Sequence, residues 1–477
     1  MTKSAKVYDY DTVKLSILSQ LTNRGSSGSK DAITYNGFYD VFKDAISEKT
    51  IASFTKRGGI TANTTIFGSG GAGRGIYYWT RTSKYYSVIA NKIYSNTSDL
   101  GVTLAGSTGK VWFEEATGTS DCLILGDGTN LYKIATNDAV TQITDGDLPS
   151  GPVSPVSMNG YVFVIKNGTD EIWNSDVDDP TAWTATSFLS AEMYPDNLVS
   201  LARQANYVVA FGTYSTEFFY DNANATGSPL RRQDAVAAKV GLAAQGSVAQ
   251  VDKRLIFIGQ TRAGDPGVWQ FDSLTPQVVS DEYIDRILAA EGSSLSSATG
   301  FITKHKGHTF YVIGLTSRTL VFDMDQKLWV GDWSIYNAGA HAVLPFKYAT
   351  EGASNTTMLL HNTDGKMYQL DPTTYQDTAG AILCWIVTMR IDFGGNHWKR
   401  MFRVEIVSDR QSSGTCTLEF SDDDYQTWST ARTLDLIVRP YTKALGVFRR
   451  RAFRIKHTAN TDFRIDALEF DYNDGVH

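Results

Sequence analysis

One short pattern recurs along most of the chain and limits the folds open to it. Its clearest copy is YVFVIKNGTDEIW, residues 161–173: a five-residue strand, a turn centred on Asn167-Gly168, then a second extended segment. Asn-Gly between two alternating runs is the strongest short-range hairpin signal, because both central residues of a tight turn need positive φ. Variants of the unit recur with second-strand anchors at Tyr94, Tyr132, Trp173, Phe218, Trp269, Val321 and Tyr368, giving gaps of 38, 41, 45, 51, 52 and 47 residues. Such spacing is that of β-propeller blades, each a four-stranded sheet. The anchors predict six or seven blades, the first and last segments sharing a blade where the ring closes. Stacked sandwiches with accidental periodicity are the competing all-β solution.

The rest of the chain departs from this period. In residues 1–60, Val13, Ile17, Leu18 and Leu21 suggest a short helix, followed by a polar break at 23–30 (NRGSSGSK). Phe38, Val41, Phe42, Ala45 and Ile46 fall at helical spacing and predict a second one. Residues 1–60 therefore read as an N-terminal arm containing short helices, with the alternative that part of it supplies a closing strand to the next domain. Within the periodic region, residues 280–292 predict a lone helix capped by Ser280, with Ile284, Ile287 and Leu288 on one face. After residue 377 the charge balance shifts to 14 Lys+Arg against 13 Asp+Glu, and alternating strands are expected at 382–391, 401–408, 415–420, 452–456 and 463–471. The expected organisation is an arm at 1–60, a β-propeller at 61–377 and a β-sandwich or interface domain at 378–477.

Composition fits this picture and excludes several classes. A chain of 477 residues exceeds one compact core, and 24 Tyr, 23 Phe and 41 Gly suit many short strands joined by tight turns. A net charge of −7 argues against nucleic-acid binding by bulk charge. The first 20 residues lack the apolar core of a secretory signal, and no apolar run reaches the roughly 18 residues of a membrane span. Cys122, Cys384 and Cys416 are odd in number and far apart, which predicts buried free thiols in a reduced compartment.

Few constellations carry chemistry. FSDDDYQTWS (420–429) approximates the Asp-box S-x-D-x-G-x-T-W, with Ser421, Asp423, Thr427 and Trp428 in place and Tyr425 where glycine is expected. The box stabilises a turn and performs no catalysis. Asp176, Asp178 and Asp179 lack the glycine and terminal glutamate of an EF-hand and read as a solvated loop. His305 and His308 have no third ligand placed by sequence. GSGGAGRG (68–75) lacks the GK[ST] ending of a phosphate loop. No metal or other cofactor is expected.

The strongest charge feature is RPYTKALGVFRRRAFRIK (439–456): Arg439, Lys443, Arg449, Arg450, Arg451, Arg454 and Lys456 with no acid. Alternation along a strand would send guanidinium groups to both faces. A protein interface is the favoured use, ahead of a solvated edge that discourages aggregation and of phosphate contact. The residues as a whole read as a structural or binding protein rather than an enzyme.

Several segments, in their order, resemble the tail nozzle or tail hub proteins of short-tailed bacteriophages, also called packaged-DNA stabilisation proteins. They are SFTKRGGI (53–60), SDVDDPTAW (175–183), FGTYSTEFFY (211–220) and IDFGGNHWKRMFRVEIV (391–407), followed by the Asp-box hairpin and the arginine-rich strand. Gly58 stands where that family often has proline, and Tyr425 for glycine.

The resemblance implies a propeller with an added sandwich, and a homo-hexamer ring that extends the portal-adaptor (head-to-tail connector) channel. It implies a virion tail protein assembled in the host cytoplasm, with viral DNA passing through the lumen without sequence-specific binding. Partners would be the adaptor and a tail fibre, spike or tail needle, with no membrane anchor. The alternatives from other classes are a receptor-binding tail protein and a propeller glycosidase or sialidase. The glycosidase would need arginines such as Arg74, Arg203, Arg254 and Arg318 gathered with carboxylates on the propeller axis.

Overall fold

A computed structural model of the chain describes residues 11–16, 32–43, 50–63, 70–118, 121–224, 226–337, 339–353, 356–378 and 380–474. The chain divides into two units. One comprises Met1–Ile60, Arg318–Leu344 and Asp371–His477, and the other Thr61–Ser317 and Pro345–Leu370.

The second unit is a β-propeller. Among its described residues, seven successive sheets begin with Gly73–Trp79, Trp112–Ala116, Pro152–Met158, Leu198–Gln204, the split pair Gly241–Leu242 and Ala249–Val251, Thr299–His305 and Phe346–Glu351. Each sheet packs on the next, and Phe346–Glu351 lies against Gly73–Trp79, which closes the ring. The Asn63 amide donates to the Met367 carbonyl at 2.9 Å, so the chain entering the first sheet runs along the last.

Apolar residues on both faces of the sheets form the core between them. Phe163, Ile165 and Ile172 meet Val208, Ala210 and Phe219 at one junction. Ile76, Tyr85 and Ile89 meet Met358, Leu360 and Met367 at the closing one. Each of the Val, Leu, Ile, Phe and Met side chains among them contributes about 1.5–3 kcal/mol on burial.

The recurrent hairpin seen in the sequence is the second and third strand of a sheet. Tyr161–Lys166 pairs with Glu171–Asp176, Val164 opposite Trp173. Its turn differs from the expected one: only Gly168 has positive φ, +80°. The Thr169 amide and hydroxyl both donate to the Lys166 carbonyl, at 3.2 and 2.8 Å, so Thr169 and Asp170 lengthen the loop to four residues.

The lone helix is Glu282–Ala290, with Ile284, Ile287 and Leu288 buried. Asp281, rather than Ser280, caps it by accepting from the Ile284 amide; the Ser280 hydroxyl instead accepts from the Val268 amide.

The first unit corrects the reading of residues 1–60. Phe38, Val41 and Phe42 lie on a strand, Gly37–Lys43, paired with Thr50–Lys56; Ala45 and Ile46 lie outside the described residues. Val13 lies on the strand Asp11–Ser16, while Ile17, Leu18, Leu21 and residues 23–30 are outside the description. Gly37 lets the paired strands approach closely: a Cβ on it would come within 2.2 Å of the Phe54 ring and 2.7 Å of the Thr55 carbonyl across the pair.

These strands join a sheet ordered Gly37–Lys43, Thr50–Lys56, Arg464–Asp474, Lys399–Ser408, Tyr441–Lys443. A second row runs Leu328–Asp332, Ile33–Tyr35, Cys384–Val387, Ala452–His457, Thr415–Ser421, Arg432–Asp435. Rings of Phe453 and Phe470, one from each row, lie 5.2 Å apart. The described residues 32–43 and 50–60 thus belong to the same β unit as the C-terminal residues rather than to a separate arm.

Ion pairing fixes the end of SFTKRGGI. Arg57, wholly buried, grips Asp377 in a two-pronged contact, Nη1–Oδ1 2.8 Å and Nη2–Oδ2 2.7 Å. It also donates to Asn36 Oδ1 and to the Ser334 and Gly58 carbonyls. Asp377 Oδ1 accepts in addition from the Ile60 amide at 2.8 Å.

The Asp-box turn is formed as the pattern predicts. Asp423 Oδ1 accepts from the Ser421 hydroxyl at 2.8 Å and the Thr427 amide at 2.9 Å, and Oδ2 accepts from the Thr427 hydroxyl. Those donors, Thr427 first, hold the Asp423 carboxyl down at about 2. Tyr425 adopts φ +64°, the left-handed conformation for which the pattern uses glycine. Its ring is buried and its hydroxyl donates to the Thr388 carbonyl at 3.1 Å. Tyr425→Phe is expected to cost about 1 kcal/mol through the lost hydrogen bond. Tyr425→Gly should cost about 2–4 kcal/mol, because the lost packing outweighs the relieved backbone. Urea denaturation checks both, and a glycine variant more stable than the parent would refute this balance.

Candidate functional site: a basic, aromatic sheet edge

The seven basic residues of 439–456 are not one stripe. They divide into an inward set and an outward set, because the chain turns before the strand begins. Tyr441–Lys443 and Val447–Phe448 both pair with Lys399–Ser408, Lys443 opposite Arg403 and Val447 opposite Arg400. Between them, Ala444 and Gly446 take positive φ and jog the backbone. Arg449 and Arg450 form a bend, and the next full strand starts only at Ala452. The expected alternation across 449–454 is therefore broken.

The inward set is consumed by the fold. Arg451 is buried, binds Asp422 through Nε and Nη2 at 2.7 Å each, and lies over the rings of Phe420 and Phe448. Arg454 and Lys456 share Glu419, at 2.6 and 2.9 Å, and flank the Trp385 ring; Arg454 also covers Trp428. Burial raises the Glu419 pKa, but its two cations outweigh that and hold it below the usual carboxylate range.

The outward set is Arg439, Lys443, Arg449 and Arg450. Arg439 is tied to Glu405, a carboxylate it shares with Arg403. Among the described residues no carboxylate pairs with Lys443, Arg449 or Arg450. Lys443 sits over the Tyr441 ring at 5.5 Å and Arg449 over Trp398 at 4.8 Å. Trp398 is 52% exposed and Val447 58%, with Val438 and Tyr441 also open. Exposed apolar and aromatic side chains with unmatched guanidinium groups are the composition of a protein interface, in which Trp, Tyr and Arg carry most of the affinity.

Other candidates resolve differently. Arg74 is buried and donates to the carbonyls of Gly106, Gly109 and Ala90, while Arg203 reaches Ser157 O and Arg318 binds Asp332 at 2.8 and 2.9 Å. Each of these three serves its own local contact. His305 and His308 face each other across a hairpin, and among the described residues no cluster of three or more His, Cys, Asp or Glu could hold a metal. Asp179 accepts from the amide and hydroxyl of Thr181, an ordinary turn contact. Cys122, Cys384 and Cys416 are free and buried, and burial pushes Cys384 and Cys416 up to about 12. No helix among the described residues is long and apolar enough to cross a membrane.

Sequence reasoning missed two places. Asp377 drew no attention because nothing in its spacing pairs it with Arg57, 320 residues earlier. Lys110 and Trp112, two residues apart, line a cavity of the propeller unit together with Thr303, which lies far along the chain.

Residues 48–375 match the family model described as bacteriophage P22 Gp10, β-propeller. The tail hub protein gp10 of Salmonella phage P22 is 24% identical over 285 residues, which cover 57% of this chain and 59% of that protein. The chain thus spans about three fifths of that relative's length. Among solved structures, a streptogramin B lyase is similar with a TM-score of 0.40 at 12% identity, covering 70% of this chain and 98% of its own. The N-terminal domain of Nup159 is similar with a TM-score of 0.39 at 9% identity, covering 71% and 98%. With well over half its length matched, the chain belongs to the bacteriophage P22 Gp10 β-propeller family.

Proposed function

We propose that the protein is a structural, non-enzymatic component of a short-tailed phage virion: a tail hub that forms a hexameric ring continuing the portal-adaptor channel. The observation that carries this reading is the family match over residues 48–375. In the assembled tail the ring retains packaged DNA, passes it through its lumen during ejection and anchors fibres, spikes or a needle. The subunit contacts are assigned to the edge bearing Arg439, Lys443, Arg449 and Arg450. Support comes from Lys443, Arg449 and Arg450, with which no carboxylate among the described residues pairs, beside the open side chains of Tyr441 and Trp398. Heterologous contacts of this kind close into a ring when the rotation between copies allows.

Negative-stain microscopy and mass measurement of the purified protein test the reading. A six-membered ring is expected, and a trimer would overturn it. Arg449→Glu with Arg450→Glu should yield a folded subunit that no longer forms rings, since both positions are exposed. Rings that persist in this variant at moderate salt would remove the edge from the interface.

A further inference from the structure

Three Asn-Gly dipeptides occur in the chain, at 36–37, 159–160 and 167–168. In this pair the asparagine side chain is open to attack by its own backbone, because glycine has no Cβ to shield the amide nitrogen that follows the asparagine. The fold places the three in different surroundings.

Asn36 is 1% exposed and held at both ends of its side-chain amide. Its Nδ2 donates to Ser334 Oγ at 3.0 Å and to the Leu383 carbonyl at 2.9 Å, and its Oδ1 accepts from Arg57 Nε and the Ser334 amide. Asn159 is exposed, but it sits in a two-residue turn between strands paired at Met158 and Tyr161. Asn159 and Gly160 both take positive φ, +52° and +85°, and Asn159 Nδ2 donates to Asp221 Oδ2 at 2.8 Å. The Gly160 carbonyl accepts from the Asp178 amide at 2.8 Å, which fastens the turn on a second side.

Asn167 differs from both. Asn167 and Gly168 are exposed. Among the described residues nothing hydrogen-bonds the Asn167 side chain and nothing accepts from the Gly168 amide. The space beside Gly168 is open, since a Cβ there would meet no atom within 4 Å. The Asn167 side chain can therefore turn onto the Gly168 nitrogen while the flanking strands stay paired at Ile165 and Ile172.

We propose that Asn167 is a site of spontaneous covalent modification in the folded protein, in which the Gly168 amide nitrogen attacks the Asn167 side-chain carbonyl. The new N–Cγ bond forms as the Cγ–Nδ2 bond breaks, and the Gly168 amide proton departs with Nδ2 as ammonia. Water then opens the resulting cyclic imide at either carbonyl, leaving aspartate or isoaspartate. Both products put a new carboxylate beside Asp170 and Glu171. Isoaspartate also adds a carbon to the backbone between the Asn167 amide, which donates to the Gly151 carbonyl at 3.2 Å, and Thr169, which donates to the Lys166 carbonyl. The reaction involves a single subunit, so ring formation can fail without affecting it.

Incubation of the purified full chain at mildly alkaline pH, followed by peptide mapping with mass spectrometry, tests the proposal. Amide loss at Asn167 should exceed that at Asn159 and at Asn36 by about tenfold or more, with isoaspartate among the products, because the other two react only from locally opened states. In urea, where all three lie in unfolded chain, the rates should converge. Gly168→Ala should slow loss at Asn167 severalfold in urea, where the comparison does not depend on whether the variant folds, since the added methyl shields the attacking nitrogen. Equal rates at Asn167 and Asn159 in the folded chain, a preference for Asn167 undiminished in urea, or a Gly168→Ala rate in urea equal to the parent's would each overturn the proposal.

Discussion

Replacing Arg57 by alanine is expected to destabilise the unit that contains it by about 3–5 kcal/mol, since the Asp377 carboxylate would be left buried without its counter-charge. The loss extends beyond the pair. Asn36 Oδ1 and the Ser334 carbonyl would lose buried donors, and the Asp377 contact to the Ile60 amide would sit beside an uncompensated charge. Arg57→Lys should rescue little, because an ammonium cannot reproduce the two-pronged contact and the three further bonds. Arg57→Met combined with Asp377→Leu should be milder than either single change, as removal of both charges leaves none stranded. Because the chain has two units, urea unfolding is best followed by hydrogen exchange at the Asn36 and Ile60 amides, which report on this unit. An Arg57→Ala protein whose protection at those amides falls by less than about tenfold would contradict the argument.

That pair also marks the limit of what could be read from the chain. The hairpins were legible because their information is local: a strand, a turn residue and a returning strand within about fifteen residues. All the anchors but Val321 lie on the third strand of a propeller sheet, and Val321 lies on Thr319–Asp323 in the other unit. Residues 38–46 misled for the opposite reason. Phe38, Val41 and Phe42 match a helical period, but their conformation is set by Thr50–Lys56 alongside and by Arg464–Asp474 beyond it, more than 400 residues away. Period alone cannot weigh a partner so remote.

The basic run was legible as charge and not as geometry. Arg451, Arg454 and Lys456 look the same in sequence as Arg449 and Arg450, yet only the latter two remain open, because the strand starts at Ala452. Their acids, Glu419 and Asp422, come from the neighbouring Thr415–Ser421 strand and the turn that follows it. The propeller cavity had no sequence signal, since its lining residues come from several separate sheets.

Acid should weaken the sandwich unit through two histidines kept neutral by burial. His457 is wholly buried, its ring stacked on Phe463 at 4.4 Å. Lys56 Nζ lies 3.4 Å from its Nδ1 and the Thr461 hydroxyl 3.3 Å from its Nε2. Burial first, and then the Lys56 charge, lower its pKa to about 3. His341, stacked on Tyr35 at 3.8 Å, is lowered to about 4 by burial and then by Lys456.

In the unfolded chain both bind a proton near 6.5, whereas the folded unit binds none until far lower pH. The unfolded state therefore takes up more protons between those values, and stability is lost as pH falls from about 6.5 towards 4, by up to about 1.4 kcal/mol per pH unit for each ring. In the propeller unit Glu114, raised to about 7 chiefly by burial, works in the opposite direction, so the units should diverge in acid. The measurement is urea unfolding at pH 7 and pH 5, read by hydrogen exchange within each unit. His457→Phe preserves a stacked ring without a titrating nitrogen. It should lower the sandwich unit's loss between those two values by about 2 kcal/mol, and an unchanged pH dependence in this variant would exclude His457 as the acid-sensitive group.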